Sequence, residues 1–120
     1  MVRASLWALA LCGLSIPAQA SEWKLIETYT NGNQFYIDGS SYRVVPDGFT
    51  MWVKEQLVSD GGNVKAMWRV DCSHWTVATT SKVAYGPDGS LVATLEPTPS
   101  GPIAPDTAGE GLAKVFCPKK

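Results

Sequence analysis

Turn clusters interrupt this chain at short intervals, and that punctuation constrains its fold more than any other feature. Asn31-Gly32-Asn33, Asp38-Gly39-Ser40, Pro46-Asp47-Gly48, Ser59 to Asn63 and Gly86-Pro87-Asp88-Gly89 leave runs too short for most helices but ample for strands, which average about five or six residues. The runs are rich in Val, Thr, Tyr, Phe and Trp, residues that fit a pleated, half-buried surface. Gly, Asn and Asp tolerate positive φ at the turns, so the pattern predicts antiparallel hairpins. Strands are expected over residues 23–30, 34–37, 49–58, 64–72, 74–85 and 90–95, with a further extended run at 42–45.

The loop at 59–63 suggests a register in which Val58 faces Val64. Period-two alternation then puts Trp52, Trp68, Val70 and Cys72 on one face. Met51, Val53, Leu57 and Met67 fall on the other, beside Glu55, Lys65, Arg69 and Asp71. Charges are costly to bury, so the tryptophan face is the expected core. The other face, apolar and rimmed by charge, is the candidate interaction surface, with Met51, Val53, Leu57, Met67 and Arg69 as its residues. A homodimer through this face or an edge strand is the simplest partnership it could make.

Pro97, Pro99, Pro102 and Pro105 follow the last strand and mark a crossing loop that cannot pair in a sheet interior. Thr107 and Glu110 then match a capping box at a helix start. Ala108, Leu112, Val115 and Phe116 lie on one helical stripe, suited to packing on the sheet. The expected fold class is therefore α+β: a six-stranded antiparallel sheet with one C-terminal helix packed on one face.

Residues 1–20 read as a secretory leader, with Arg3, an apolar run from Leu6 to Leu11, Pro17, and small residues at Ala18 and Ala20 before the expected cut. The run is shorter than the roughly 20 apolar residues of a membrane span, so no stable membrane insertion is expected after cleavage. The domain then occupies residues 21–120 and carries nine basic against eleven acidic residues. Cleavage also removes Cys12, leaving Cys72 and Cys117, which in an oxidising compartment have a single intramolecular pairing. The expected disulfide joins residues 45 positions apart, a closure that chain entropy values at about 4 kcal/mol.

The order of these features is also familiar. Trp23, then Phe35-Tyr36-Ile37-Asp38 with Ser40 and Ser41, Met51-Trp52-Val53-Lys54, Val70-Asp71-Cys72, Tyr85 with Gly89, and the C-terminal Cys117 together resemble the surface-adhesin protein E family of small exported bacterial proteins. The resemblance spans essentially the whole mature chain. It implies a six-stranded antiparallel sheet, a C-terminal helix and a disulfide at Cys72 and Cys117. It also implies an adhesin that binds host matrix glycoproteins such as vitronectin and laminin, located in the periplasm or at the cell surface. The chain departs from the namesake in having no lipoprotein cysteine at the cleavage site and no lysine-rich cluster.

Other functions find little support in the residues. The near-neutral charge, with ten Lys and Arg against eleven Asp and Glu, lacks the basic stripe of a nucleic-acid binder. His74 is the single histidine, so a hydrolase or thiol enzyme would have to be built on it, and a strand-end histidine is the plainer reading. With both mature cysteines committed to each other, too few ligands remain for a zinc site. Asp38, Asp47, Asp60 and Asp88 each adjoin turn glycines without calcium-loop spacing. The Gly-rich turns lead into no helix, so no phosphate or cofactor loop is expected. The sequence thus points to an exported, non-enzymatic protein-interaction module. An envelope structural or assembly factor is the alternative, and a small periplasmic enzyme using His74 the more distant one.

Overall fold

The computed structural model describes residues 21–118, so the leader, with Ala18 and Ala20 at its expected cleavage site, lies outside the described residues. The strands are β1 (Trp23–Thr28), β2 (Gln34–Asp38), β3 (Arg43–Val45), β4 (Gly48–Gln56), β5 (Asn63–Asp71), β6 (Thr76–Tyr85), β7 (Leu91–Thr94) and β8 (Gly101–Pro102), followed by helix α1 (Ala108–Phe116). All pairings are antiparallel. Six strands form the main sheet in the order β1-β2-β4-β5-β6-β7, while β3 pairs with β4 and β8 with β6. The eight-stranded count exceeds the six expected because two short strands fill edges the long ones leave free. One of these is the extended run at 42–45. The other lies in the proline-rich crossing loop, where Pro102 pairs only at the margin of the sheet, a place where a missing N–H costs little.

Local chemistry explains the turns. Asn31 Oδ1 accepts from Asn33 N–H, Asp60 Oδ1 from Gly62 N–H and Asp88 Oδ1 from Ser90 N–H, each two residues on. Gly32, Gly61 and Gly89 supply the positive φ that these turns need. At the end of β2, Asp38 is buried and accepts from the N–H groups of Ser40 and Glu22 and from the Ser40 hydroxyl. This pins the 3-10 turn over Gly39–Ser41 that swings the chain into β3.

Helix α1 starts as its cap predicts, with Thr107 Oγ1 accepting from Glu110 N–H at 3.3 Å. The Glu110 carboxylate accepts from Asp106 N–H rather than from Thr107, one residue upstream of a strict capping box. Ala108, Leu112 and Ala113 are buried against the sheet. Phe116 packs on Tyr42 and Phe49, with ring centres 5.2 and 5.5 Å away. Val115, expected on the buried stripe, is 72% exposed. Ala113 occupies the inward position instead, because the helix turns its small-residue side to the sheet and brings Cys117 down onto it. Cys117 bonds Cys72, which follows β5 directly, with Cα atoms 5.6 Å apart.

The β4–β5 register differs from the expected one, and the difference reverses one strand. Gln56, not Val58, closes the hairpin by pairing with Asn63. Leu57 N–H donates to Gly62 O, Gly61 N–H returns to Leu57 O, and Asn33 Oδ1 draws the Val58 N–H out of the ladder. The loop therefore starts at Leu57, and β4 slides three residues along β5. An odd slip turns every side chain to the opposite face. Phe49, Met51 and Val53 become core residues with exposures of 1%, 0% and 3%, facing Val70, Trp68 and Ala66. Met51 and Val53 are thus part of the core and not of an interaction surface. Trp52, expected inside, stands on the open face. The expected face of β5 holds, since Trp68, Val70 and Cys72 belong to or pack against the core.

Candidate functional site

With the core and α1 on one side, the other face of the sheet has no covering layer among the described residues. Its side chains form cross-strand rows. One runs Leu25, Tyr36, Lys54, Lys65, Val83. The next row on one side contains Trp23, Asp38, Trp52, Met67 and Ser81, and the next on the other Gln34, Gln56, Asn63 and Tyr85. Most of these residues are half-buried, packed on one another yet open to solvent.

The centre of the face is a lattice of rings and ammonium groups. Lys54 Nζ lies 5.0 Å from the Trp23 ring centre and 4.7 Å from that of Tyr36. Lys65 Nζ lies 4.6 Å from the Tyr85 ring centre and 5.8 Å from Trp23. These are cation–π distances, and they place the Trp23 indole, carried on an edge strand, over both lysines. Partial burial first, and the neighbouring Lys65 charge second, hold the Lys54 ammonium below the ordinary lysine pKa. Lys54 and Lys65 are direct cross-strand partners, an arrangement that like charges disfavour. Among the described residues the ion pairs are Lys114 with Glu110 and His74 with Asp71, so no carboxylate pairs with either lysine.

The residues singled out from sequence divide between the two sides. Met67 and Arg69 lie on the open face, Arg69 in a row with Thr50 and Ala78. Met51 and Val53 are in the core, and Leu57 sits half-buried at the hairpin turn. His74, in the β5–β6 turn, places Nδ1 2.9 Å from Asp71 Oδ2 with its ring 75% exposed. The backbone bond from His74, then its side chain, draw the Asp71 carboxyl below the usual carboxylate range. The Ser73 hydroxyl donates to Asp47, so that serine is not held on the imidazole as a nucleophile would be. A second apolar feature is an open groove of about 750 Å³ between β1 and α1, lined by Lys24, Ile26, Ile37, Leu112 and Val115 among others.

The sequence profile of surface-adhesin protein E matches residues 23–118. The chain belongs to the surface-adhesin protein E family. Among solved structures it is similar to protein E of Haemophilus influenzae in its selenomethionine form, with a TM-score of 0.58 and 17% identity over 82% of this chain and 92% of that one. At that identity the likeness speaks for the fold. Comparison with curated proteins gives no match. No helix among the described residues of this adhesin E protein is long and apolar enough to cross a membrane.

Sequence reasoning missed Trp23, Tyr36, Trp52, Lys54 and Tyr85 as members of one surface of this family member. The signal was present in β4, where Phe49, Met51 and Val53 alternate with Thr50, Lys54 and Gln56. Lysine and glutamine at alternate positions mark a solvent face, and the bulk of Trp52 masked it.

Proposed function

We propose that this surface-adhesin E protein is an exported, non-enzymatic interaction module that binds host matrix glycoproteins such as vitronectin and laminin through the open face of its sheet. The observation that carries this reading is the opposed pair Lys54 and Lys65, set among Trp23, Tyr36 and Tyr85 with no carboxylate partner among the described residues. Tryptophan and tyrosine are the residues that most often anchor protein interfaces. A sheet of six strands spaced about 4.8 Å apart gives a face on the order of 25 Å wide, the scale of a standard interface. Family membership and the leader pattern both support export.

Two measurements test this. Fractionation of cells should find the protein outside the cytoplasm, and deletion of residues 1–20 should retain it there. Immobilised laminin and vitronectin should capture the folded protein, and Trp52→Ala should weaken capture by about tenfold or more, as truncation of an interface aromatic does. Cytoplasmic retention of the intact chain, or capture indifferent to Trp52, contradicts the proposal.

A further inference from the structure

The open face contains a conflict that its own fold does not resolve. Lys54 and Lys65 stand directly opposite each other, a placement that costs stability unless something else compensates the two charges. The rings of Trp23, Tyr36 and Tyr85 soften the repulsion, but no anion is supplied from within the described residues. Neighbouring strands lie about 4.8 Å apart, so two ammonium groups on adjacent strands can both donate to one carboxylate or sulfate placed between them. The surroundings are flat and mixed. Trp52 and Met67 occupy the next row on one side of the lysines, and Gln34, Gln56 and Asn63 the next row on the other. Among the described residues, none donates a hydrogen bond to the buried Asn63 Oδ1. Aromatic rings beside side-chain amides suit pyranose rings, whose C–H faces lie on π surfaces and whose hydroxyls donate to amide oxygens. An extended peptide would instead seek an unpaired strand edge, and β4 and β5 are paired on both sides.

Resting on the reading of the open face as the binding surface, we propose that the chemistry recognised there is an acidic saccharide of the glycosaminoglycan type. One carboxylate or sulfate is clamped between Lys54 and Lys65, and the flanking sugar rings lie on Trp23, Trp52 and Tyr85. The clamp explains why a fold would keep two lysines face to face.

Calorimetric titration of the protein with size-defined heparan sulfate and hyaluronan oligosaccharides tests this, with dextran as the neutral saccharide and poly-glutamate as the acidic peptide. Both acidic saccharides should bind and dextran should not, and affinity should fall as salt rises. Lys54→Gln and Lys65→Gln should each weaken binding about tenfold, the loss of one charge-assisted contact. Lys65→Gln should leave the melting temperature unchanged or raised, because it removes the repulsion. A lowered melting temperature with unchanged saccharide binding would mark the pair as structural and overturn the proposal. So would equal or tighter binding of poly-glutamate, or no saccharide binding at all. If laminin capture depends on Trp52 while acidic saccharides do not bind, the saccharide assignment fails and the open-face reading stands. If capture ignores Trp52, Lys54 and Lys65 alike, the open-face reading fails as well.

Discussion

Gly48 opens β4 at a point where no side chain fits. A Cβ there would lie 1.7 Å from the Val70 carbonyl oxygen, an atom of the paired backbone that cannot move without breaking the ladder. Gly48→Ala should therefore cost about 3 kcal/mol or more, in the range of the large backbone and packing effects, measured as a shift in the urea midpoint at constant slope. Asp38 contributes in the opposite way, by what it accepts. Its burial pushes the carboxyl pKa up, but bonds from Ser40 and from the Glu22 N–H outweigh that and hold it below the ordinary value. A carboxyl depressed in the folded state stabilises fully above its unfolded pKa of about 3.9 and loses that stabilisation as pH falls through the folded value. Asp38→Ala should cost about 2 kcal/mol near neutral pH, the scale of hydrogen bonds to a charged group. It should also flatten the acid side of the stability profile below about pH 4. An unchanged acid limb in the variant would show that other carboxylates govern acid unfolding.

At the scale of elements, the hairpins, the terminal helix and the disulfide were legible because each rests on local chemistry. Asn31, Asp60 and Asp88 cap their own turns, Thr107 caps α1, and the two cysteines that follow the expected leader admit one bond. Registry was not local. Whether Met51 or Trp52 faces inward depends on Asn33, on a different hairpin, drawing Val58 out of the β4–β5 ladder, and no spacing within residues 49–72 records that contact. Val115 escaped for a similar reason, since the disulfide decides which side of α1 meets the sheet. The helix has nine residues, too few to hold alone in water, so it depends on its packing, on Thr107 and on the Cys72–Cys117 bond. Cys72→Ser and Cys117→Ser should each cost about 2 to 5 kcal/mol, whereas Thr107→Ala should cost about 1 kcal/mol. Reduction should redden tryptophan fluorescence by uncovering Trp68, whose ring packs on Phe35 at 5.3 Å beneath Gly109. If reduction leaves both emission and melting temperature in place, the bond does not hold the helix down.

The whole molecule divides its labour between two faces of one sheet. One face is closed by α1, the crossing loop and the disulfide, and supplies the stability of a small exported domain. The other gathers Trp23 from an edge strand, Tyr36 and Trp52 from the middle, and Lys54, Lys65 and Tyr85 into a surface that no linear segment contains. The groove between β1 and α1 is the rival surface, and lysines distinguish the two. Lys54 and Lys65 mark the open face, while Lys24 lines the groove and Lys114, beside Cys72, Trp75 and Cys117 on the other flank of α1, belongs to neither. Acetylation rates of each lysine, read by mass spectrometry with and without saturating laminin, give the most direct test. Slowed modification of Lys54 and Lys65, with Lys24 and Lys114 unchanged, is the predicted result; protection of Lys24 with Lys54 and Lys65 unaffected would contradict it.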